Sequence, residues 1–184
     1  AGSWRCAKPE ELGGPIGDVA SHCLYMAEFM CASPVRRVAC VYYPKTLRIP
    51  VEDGAFIKYR LEDGRGGSIR VAFSEPRGGL EGTLANLGYE LYGDRGVLRG
   101  YGTLFQLSGY DDEPVRIRLE LDTFAECREV PAGPPENIYQ HVVRRHARSI
   151  LDRTPLDGRE GLRNLRQVAA CHASARQGGI WLDG

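Results

Sequence analysis

The stretch AFIKYRLEDGRGGSIRVAF, Ala55 to Phe73, constrains the fold most strongly. Phe56, Lys58 and Arg60 alternate with Ile57, Tyr59 and Leu61, which is the period of a strand with one wet and one buried face. Asp63-Gly64 with Gly66-Gly67 supplies a turn, and Ile69, Val71 and Phe73 continue the return strand. A hairpin of this kind must bury its apolar face against something else in the chain.

The flanking segments show what that is. Gly17 to Ala32 carries Val19, Cys23, Met26, Ala27 and Met30 at helical spacing, with Asp18 in the first turn and Pro34 beyond the end. Arg36 to Tyr43 reads as a strand, and GYELYGDRGVLRGYG as a second hairpin turning at Gly93-Asp94-Arg95-Gly96. Val115 to Phe124 alternates Val115, Ile117, Leu119 and Leu121 with Arg116, Arg118, Glu120 and Asp122. Glycine and proline thicken over Glu75 to Gly82, which reads as a loop, and again from Pro131 to Pro135, which ends the strands.

Two helices follow. Asn137 is a candidate cap for the first, which reaches Asp152 with Ile138, Val142, Ile150 and Leu151 inward. The second runs from Gly158 to Gln177 on a stripe of Leu162, Leu165, Val168, Ala169 and Ala173. Gly178-Gly179 stops it, and Ile180 to Leu182 forms a short terminal strand. The order predicts an α+β fold: an open, largely antiparallel or mixed sheet with helices on one face. We expect residues 1–184 to form a single domain of a size that buries about 70% of its unfolded surface.

With 24 basic and 24 acidic residues the formal charge is zero, which argues against nucleic acid or an anionic membrane as partner. No apolar run approaches the ~20 residues of a membrane span, and the first residues lack a signal-peptide layout. Six cysteines without a C-x-x-C pair read as reduced thiols of a cytoplasmic protein rather than a zinc site. No G-x-G-x-x-G follows a strand, so no cofactor-binding residue is assigned in this chain.

The candidate chemistry lies in GGPIGDVASHC, Gly13 to Cys23, where Asp18 and His22 stand four residues apart on a predicted helix. That spacing puts both on one side. A carboxylate beside an imidazole can orient it and raise its basicity for proton transfer. The same pair also fits a helix-dipole aspartate next to a hydrogen-bonded histidine. A metal site needs a third ligand, and none is near in sequence. His141 and His146 lie among arginines and read as a solvated face, His172 as a core or boundary residue, and Tyr42, Tyr43, Tyr59 and Tyr89 as sheet aromatics. Lys8, beside Glu10 and Glu11, reads as an exposed turn.

Three segments in order resemble one family. WRCAKPEELGGPIGDVASH, Trp4 to His22, is similar to the start of the C-terminal domain of the glucose–fructose oxidoreductase and inositol dehydrogenase family (Gfo/Idh/MocA). YELYGDRGVL resembles its E-x-x-G-x-x-G-x-L hairpin, and TPLDGREGLRNLRQVAACHASARQGG its last helix. The resemblance implies two-domain NAD(P)-dependent oxidoreductases acting on sugars, polyols and their derivatives. It implies that a Rossmann domain, not included in this sequence, holds NAD or NADP and a catalytic lysine in a Glu-Lys-Pro motif. It assigns His22 as candidate acid/base, Asp18 as a substrate-binding or orienting group, and Trp4 and Arg5 as neighbours of the substrate. It further implies a homodimer or tetramer through the sheet face. A stand-alone dimerisation or sugar-binding domain is the alternative.

Overall fold

A computed structural model of the chain describes residues 3–74, 88–102, 117–134 and 138–184. In chain order the helices are α1 (Trp4–Ala7), α2 (Ser21–Cys31), α3 (Ile138–Leu151) and α4 (Arg159–Arg176). The strands are β1 (Val35–Tyr42), β2 (Gly54–Leu61), β3 (Gly66–Ala72), β4 (Gly88–Gly93), β5 (Gly96–Gly102), β6 (Ile117–Thr123), β7 (Cys127–Val130) and β8 (Leu182–Asp183). The architecture is α+β, with two four-stranded antiparallel sheets ordered β3-β2-β1-β8 and β4-β5-β6-β7. The chain divides into two compact units, one from Ala1–Glu75 and Asp157–Gly184, the other from Pro76–Leu156.

The first unit is built on the predicted hairpin. Its register pairs Ala55 with Val71, Ile57 with Ile69 and Arg60 with Gly66, while β1 pairs Cys40 with Ile57. Val38, Cys40, Ala55, Ile57, Leu61, Ile69 and Val71 therefore share one face, and all are buried. Ile16, Ala20 and Leu24 close over them from one helical segment, Val168 and Cys171 from α4. Burying an aliphatic side chain of this size contributes roughly 1.5–3 kcal/mol, so this one face supplies the main driving force of the unit.

Both covering helices bury only part of the stripe their apolar spacing predicts: Ala27 and Val168 are buried as expected, and the other buried positions differ. Along α2 the buried residues are Leu24, Ala27 and Glu28, preceded by Ile16 and Ala20; Val19 and Cys23 only flank them. The segment opens with a π-helical turn, Ile16–Ala20, whose wider winding shifts the phase of the residues after it, and Glu52 Oε1 accepts the Ile16 N–H there at 3.0 Å. Along α4 the buried set is Gln167, Val168, Cys171, His172 and Ser174, whereas Leu162 and Leu165 are half exposed (50% and 51%).

The polar members of that set hold the layers together. Glu28 Oε1 accepts the Val35 N–H and the Gln167 Nε2–H, each at 2.7 Å, and Arg163 Nη2 donates to Glu28 Oε2 at 2.8 Å. Ser174 Oγ accepts the Cys40 N–H at 2.9 Å and donates to the Ile180 carbonyl at 2.6 Å. Buried polar groups are tolerated when paired in this way. Gly178 and Gly179 then take positive φ (76° and 88°), ending α4 and leading the chain back to pair β8 with β1.

In the second unit, β4 and β5 form the expected hairpin around Asp94-Arg95, with Gly93 opposite Gly96. Arg99 bridges neighbouring strands, its Nε 3.1 Å from Glu90 and its Nη1 2.9 Å from Asp122. The strand β7 is unforeseen by the sequence pattern: four residues, CREV, pair with β6 after a turn in which Thr123 Oγ1 accepts the Ala125 and Glu126 N–H groups. The expected inward face of α3 is also corrected. Val142, Ile150 and Leu151 are 66%, 63% and 78% exposed. The loop at Glu75 to Gly82, the cap at Asn137, and Val115 with Arg116 lie outside the described residues.

Candidate active site

The glycines of Gly13 to Cys23 serve a close approach of backbone segments. Gly14 takes φ +100°, and a Cβ there would run into the Glu52 carboxylate. A Cβ at Gly17 would strike the Leu12 carbonyl. With these contacts in place the Gly13 N–H reaches the Lys8 carbonyl at 3.0 Å, and the Gly14 N–H reaches the Arg5 carbonyl at 2.7 Å. Helix α1 and the residue after it are thus tied, through the Arg5 and Lys8 carbonyls, to the turn that leads into the next helical segment.

That segment opens as a π-helical turn, Ile16–Ala20, in which the Ser21 N–H reaches back to the Ile16 carbonyl. Such wide turns are rare and recur at functional sites. Asp18 sits within it. Arg5 Nε donates to Asp18 Oδ1 at 2.5 Å, and the Arg5 guanidinium carbon lies 5.1 Å from the centroid of the Trp4 ring. Three of the four residues assigned by resemblance, Trp4, Arg5 and Asp18, therefore meet in one cluster. His22 follows Asp18 on the first turn of α2 and is exposed. The cluster offers a carboxylate with one oxygen held by arginine and a half-exposed indole, and the exposed imidazole of His22 follows on α2 without joining it: groups that can hold a hydroxylated molecule and move a proton.

Other candidates fall elsewhere. Lys8 Nζ pairs with Glu11 Oε1 at 2.5 Å on the surface, and that hydrogen bond raises its pKa, the opposite of what a proton-abstracting lysine needs. His141 and His146 are exposed on α3. All six cysteines are free thiols. Among the described residues, no cluster of three or more His, Cys, Asp or Glu side chains suits a metal ion, and no helix is long and apolar enough to cross a membrane. The sequence pattern missed Glu52 and the Arg5–Asp18 pair, since neither lies at a helical or strand spacing from its partner.

Residues 1–99 match the profile of the GFO/IDH/MocA C-terminal domain. The chain belongs to this family. No curated protein sequence matches it. Among solved structures, aldose-aldose oxidoreductase from Caulobacter crescentus, complexed with glycerol, superposes with a TM-score of 0.78 at 19% identity, over 100% of this chain and 51% of that one. An oxidoreductase from Agrobacterium radiobacter, solved with NAD+, L-tartaric acid and magnesium, gives 0.71 at 18% identity over 98% and 51%. An inositol dehydrogenase homolog from Azotobacter vinelandii, solved with NAD+, gives 0.61 at 21% identity over 98% and 51%. The family chain described here spans about half the length of these structures, and at such identities the likeness is one of fold.

Proposed function

We propose that residues 1–184 act as one substrate-binding and oligomerisation domain of an NAD(P)-dependent oxidoreductase whose substrate is a sugar, a polyol or a derivative. The observation that carries this is the cluster of Trp4, Arg5 and Asp18, followed by His22, on a chain of this family.

The dinucleotide itself does not fit the one glycine-rich helix start of the first unit. The N–H groups of Gly13, Gly14 and Ile16, which a pyrophosphate would need, already bond to Lys8, Arg5 and Glu52. As in the family's two-domain enzymes, NAD or NADP would be held by a Rossmann domain and would supply the hydride acceptor or donor for the substrate carbon. The work of this chain is on the hydroxyl. Asp18, with Oδ1 held by Arg5, offers Oδ2 to a substrate hydroxyl and fixes its orientation. Trp4, 41% exposed, presents ring surface to the C–H face of a sugar. His22 takes up the proton of the reacting hydroxyl on oxidation and returns it on reduction. The face of β1–β3 turned away from the helices carries Ala39, Val41 and Phe56, and we assign the contact between copies in a homodimer or tetramer to it.

The test is turnover of the longer protein that carries this chain, assayed on a panel of sugars and polyols with both dinucleotides. His22→Ala should lower kcat by about 10²- to 10⁴-fold. An unchanged kcat would remove His22 from the reaction.

A further inference from the structure

A pocket of about 440 Å³ lies within the first unit, and neither Asp18 nor His22 lines it. Its walls are the turn before Gly13, the end of β1, the loop leading to β2 and the C-terminal half of α4. Six side chains with polar groups line it: Tyr42, Tyr43, Lys45, Glu52, His172 and Arg176. The remaining wall is mostly proline and aliphatic. The volume falls in the range of small-molecule sites, and apolar walls with a few convergent polar groups are their usual make-up.

The polar groups are organised. Tyr42 Oη lies 2.9 Å from His172 Nδ1. His172 is 9% exposed, and its Nε2 is buried with no hydrogen-bond partner among the described residues. Burial, opposed by the charge of Glu52 and aided by that of Arg176, lowers the pKa of His172, so the ring is neutral with a single N–H. A buried N–H without a partner is rarer than a buried acceptor without one. The proton therefore belongs on Nδ1, donated to Tyr42 Oη, which leaves the Tyr42 O–H free to donate into the pocket. Burial, with the Glu52 charge beside it, pushes the Tyr42 pKa up to about 12, so that proton stays in place.

The charges are close to balanced. Lys45 lies 3.6 Å from Asp53 and also donates to the Val51 carbonyl, so its charge is largely answered. Glu52 spends Oε1 on the Ile16 N–H and keeps Oε2, and Glu52 and Arg176 are the two remaining charges of the lining, opposite in sign. What remains is a set of directional donors and acceptors without a net charge to neutralise. Hydroxyl groups, each both donor and acceptor, match such a set better than a carboxylate or phosphate does.

We propose that this pocket is a second small-molecule site, separate from Asp18 and His22, for a neutral polyhydroxylated ligand of monosaccharide or cyclitol size. The ligand's hydroxyls would accept from Tyr42 and donate to Glu52 Oε2. The proposal does not depend on the assignment of His22.

The experiment is a nuclear magnetic resonance titration of the 184-residue chain with glucose, with myo-inositol and, as a charged comparator, with gluconate. The His172 ring signals should shift saturably with at least one neutral polyol and not with gluconate alone. Tyr42→Phe and Glu52→Gln, which keep shape and the Ile16 contact, should each weaken binding by about tenfold. Asp18→Asn should leave it unchanged. Absence of a saturable shift with either neutral polyol, binding of gluconate only, or equal loss in Asp18→Asn would each overturn the proposal.

Discussion

Helices α3 and α4 follow one another along the chain, and both carry apolar side chains at helical spacing. In α4 the buried face holds Gln167, His172 and Ser174 beside Val168 and Cys171, and Leu165 stands half exposed. In α3 Val142, Val143, Ile150 and Leu151 are all more than half exposed. Periodicity identified both as helices, but burial followed the partners each one meets. For α4 those partners are the Glu28 carboxylate, the Cys40 N–H and the Ile180 carbonyl, which pair its polar groups and make their burial affordable. The first unit is thus held by an apolar face together with a few bonds that cannot be removed singly.

The largest test of this contrast is Glu28→Ala. It strands the Val35 N–H and the Gln167 amide in the core, and chemical unfolding should show a loss of about 3 kcal/mol. A loss below about 1 kcal/mol would mean that the apolar face alone holds the unit. Acid titration sharpens the same point. Burial alone would raise the Glu28 pKa, but hydrogen bonds from Arg163, Val35 and Gln167, with the Arg163 charge, outweigh it and hold the pKa below the ordinary range. The folded value then lies under the unfolded value of about 4.3, so the stabilisation is present above that pH and drains away as the pH falls through the folded value. Glu28→Gln should flatten this acid limb of stability, and an unaltered limb would place its origin elsewhere, Asp53 being the next carboxylate held low. The smallest effect is expected in α3: Val142→Ser should change the unfolding free energy by no more than about 0.5 kcal/mol. A loss of 2 kcal/mol would show that this face is covered in solution.

Much of the fold was readable in the sequence because hairpins announce themselves locally. Asp63-Gly64 and Asp94-Arg95 sit between alternating runs, and both turns fall where that alternation places them. The strand β7 escaped because CREV is short and stops at Pro131, leaving too few residues to show a period. The phase of α2 escaped for another reason. It depends on the π-helical turn Ile16–Ala20, which shifts the residues after it and has no mark in the apolar spacing. The site shows the same division. Asp18 and His22 stood out by spacing, and Trp4 and Arg5 by resemblance, yet the salt bridge from Arg5 to Asp18 depends on how α1 folds back on the Gly13-Gly14 turn. The Tyr42–His172 pair joins residues 130 positions apart and leaves no local signal at all.

The central claim is that this chain handles the substrate while the dinucleotide is held elsewhere. Calorimetric titration of the 184-residue protein with NAD+, NADH, NADP+ and NADPH tests it most directly. None of the four should bind in the micromolar range, and turnover should require a dinucleotide-binding domain joined to these residues. Clear micromolar binding would contradict it and would place a nucleotide site on these residues.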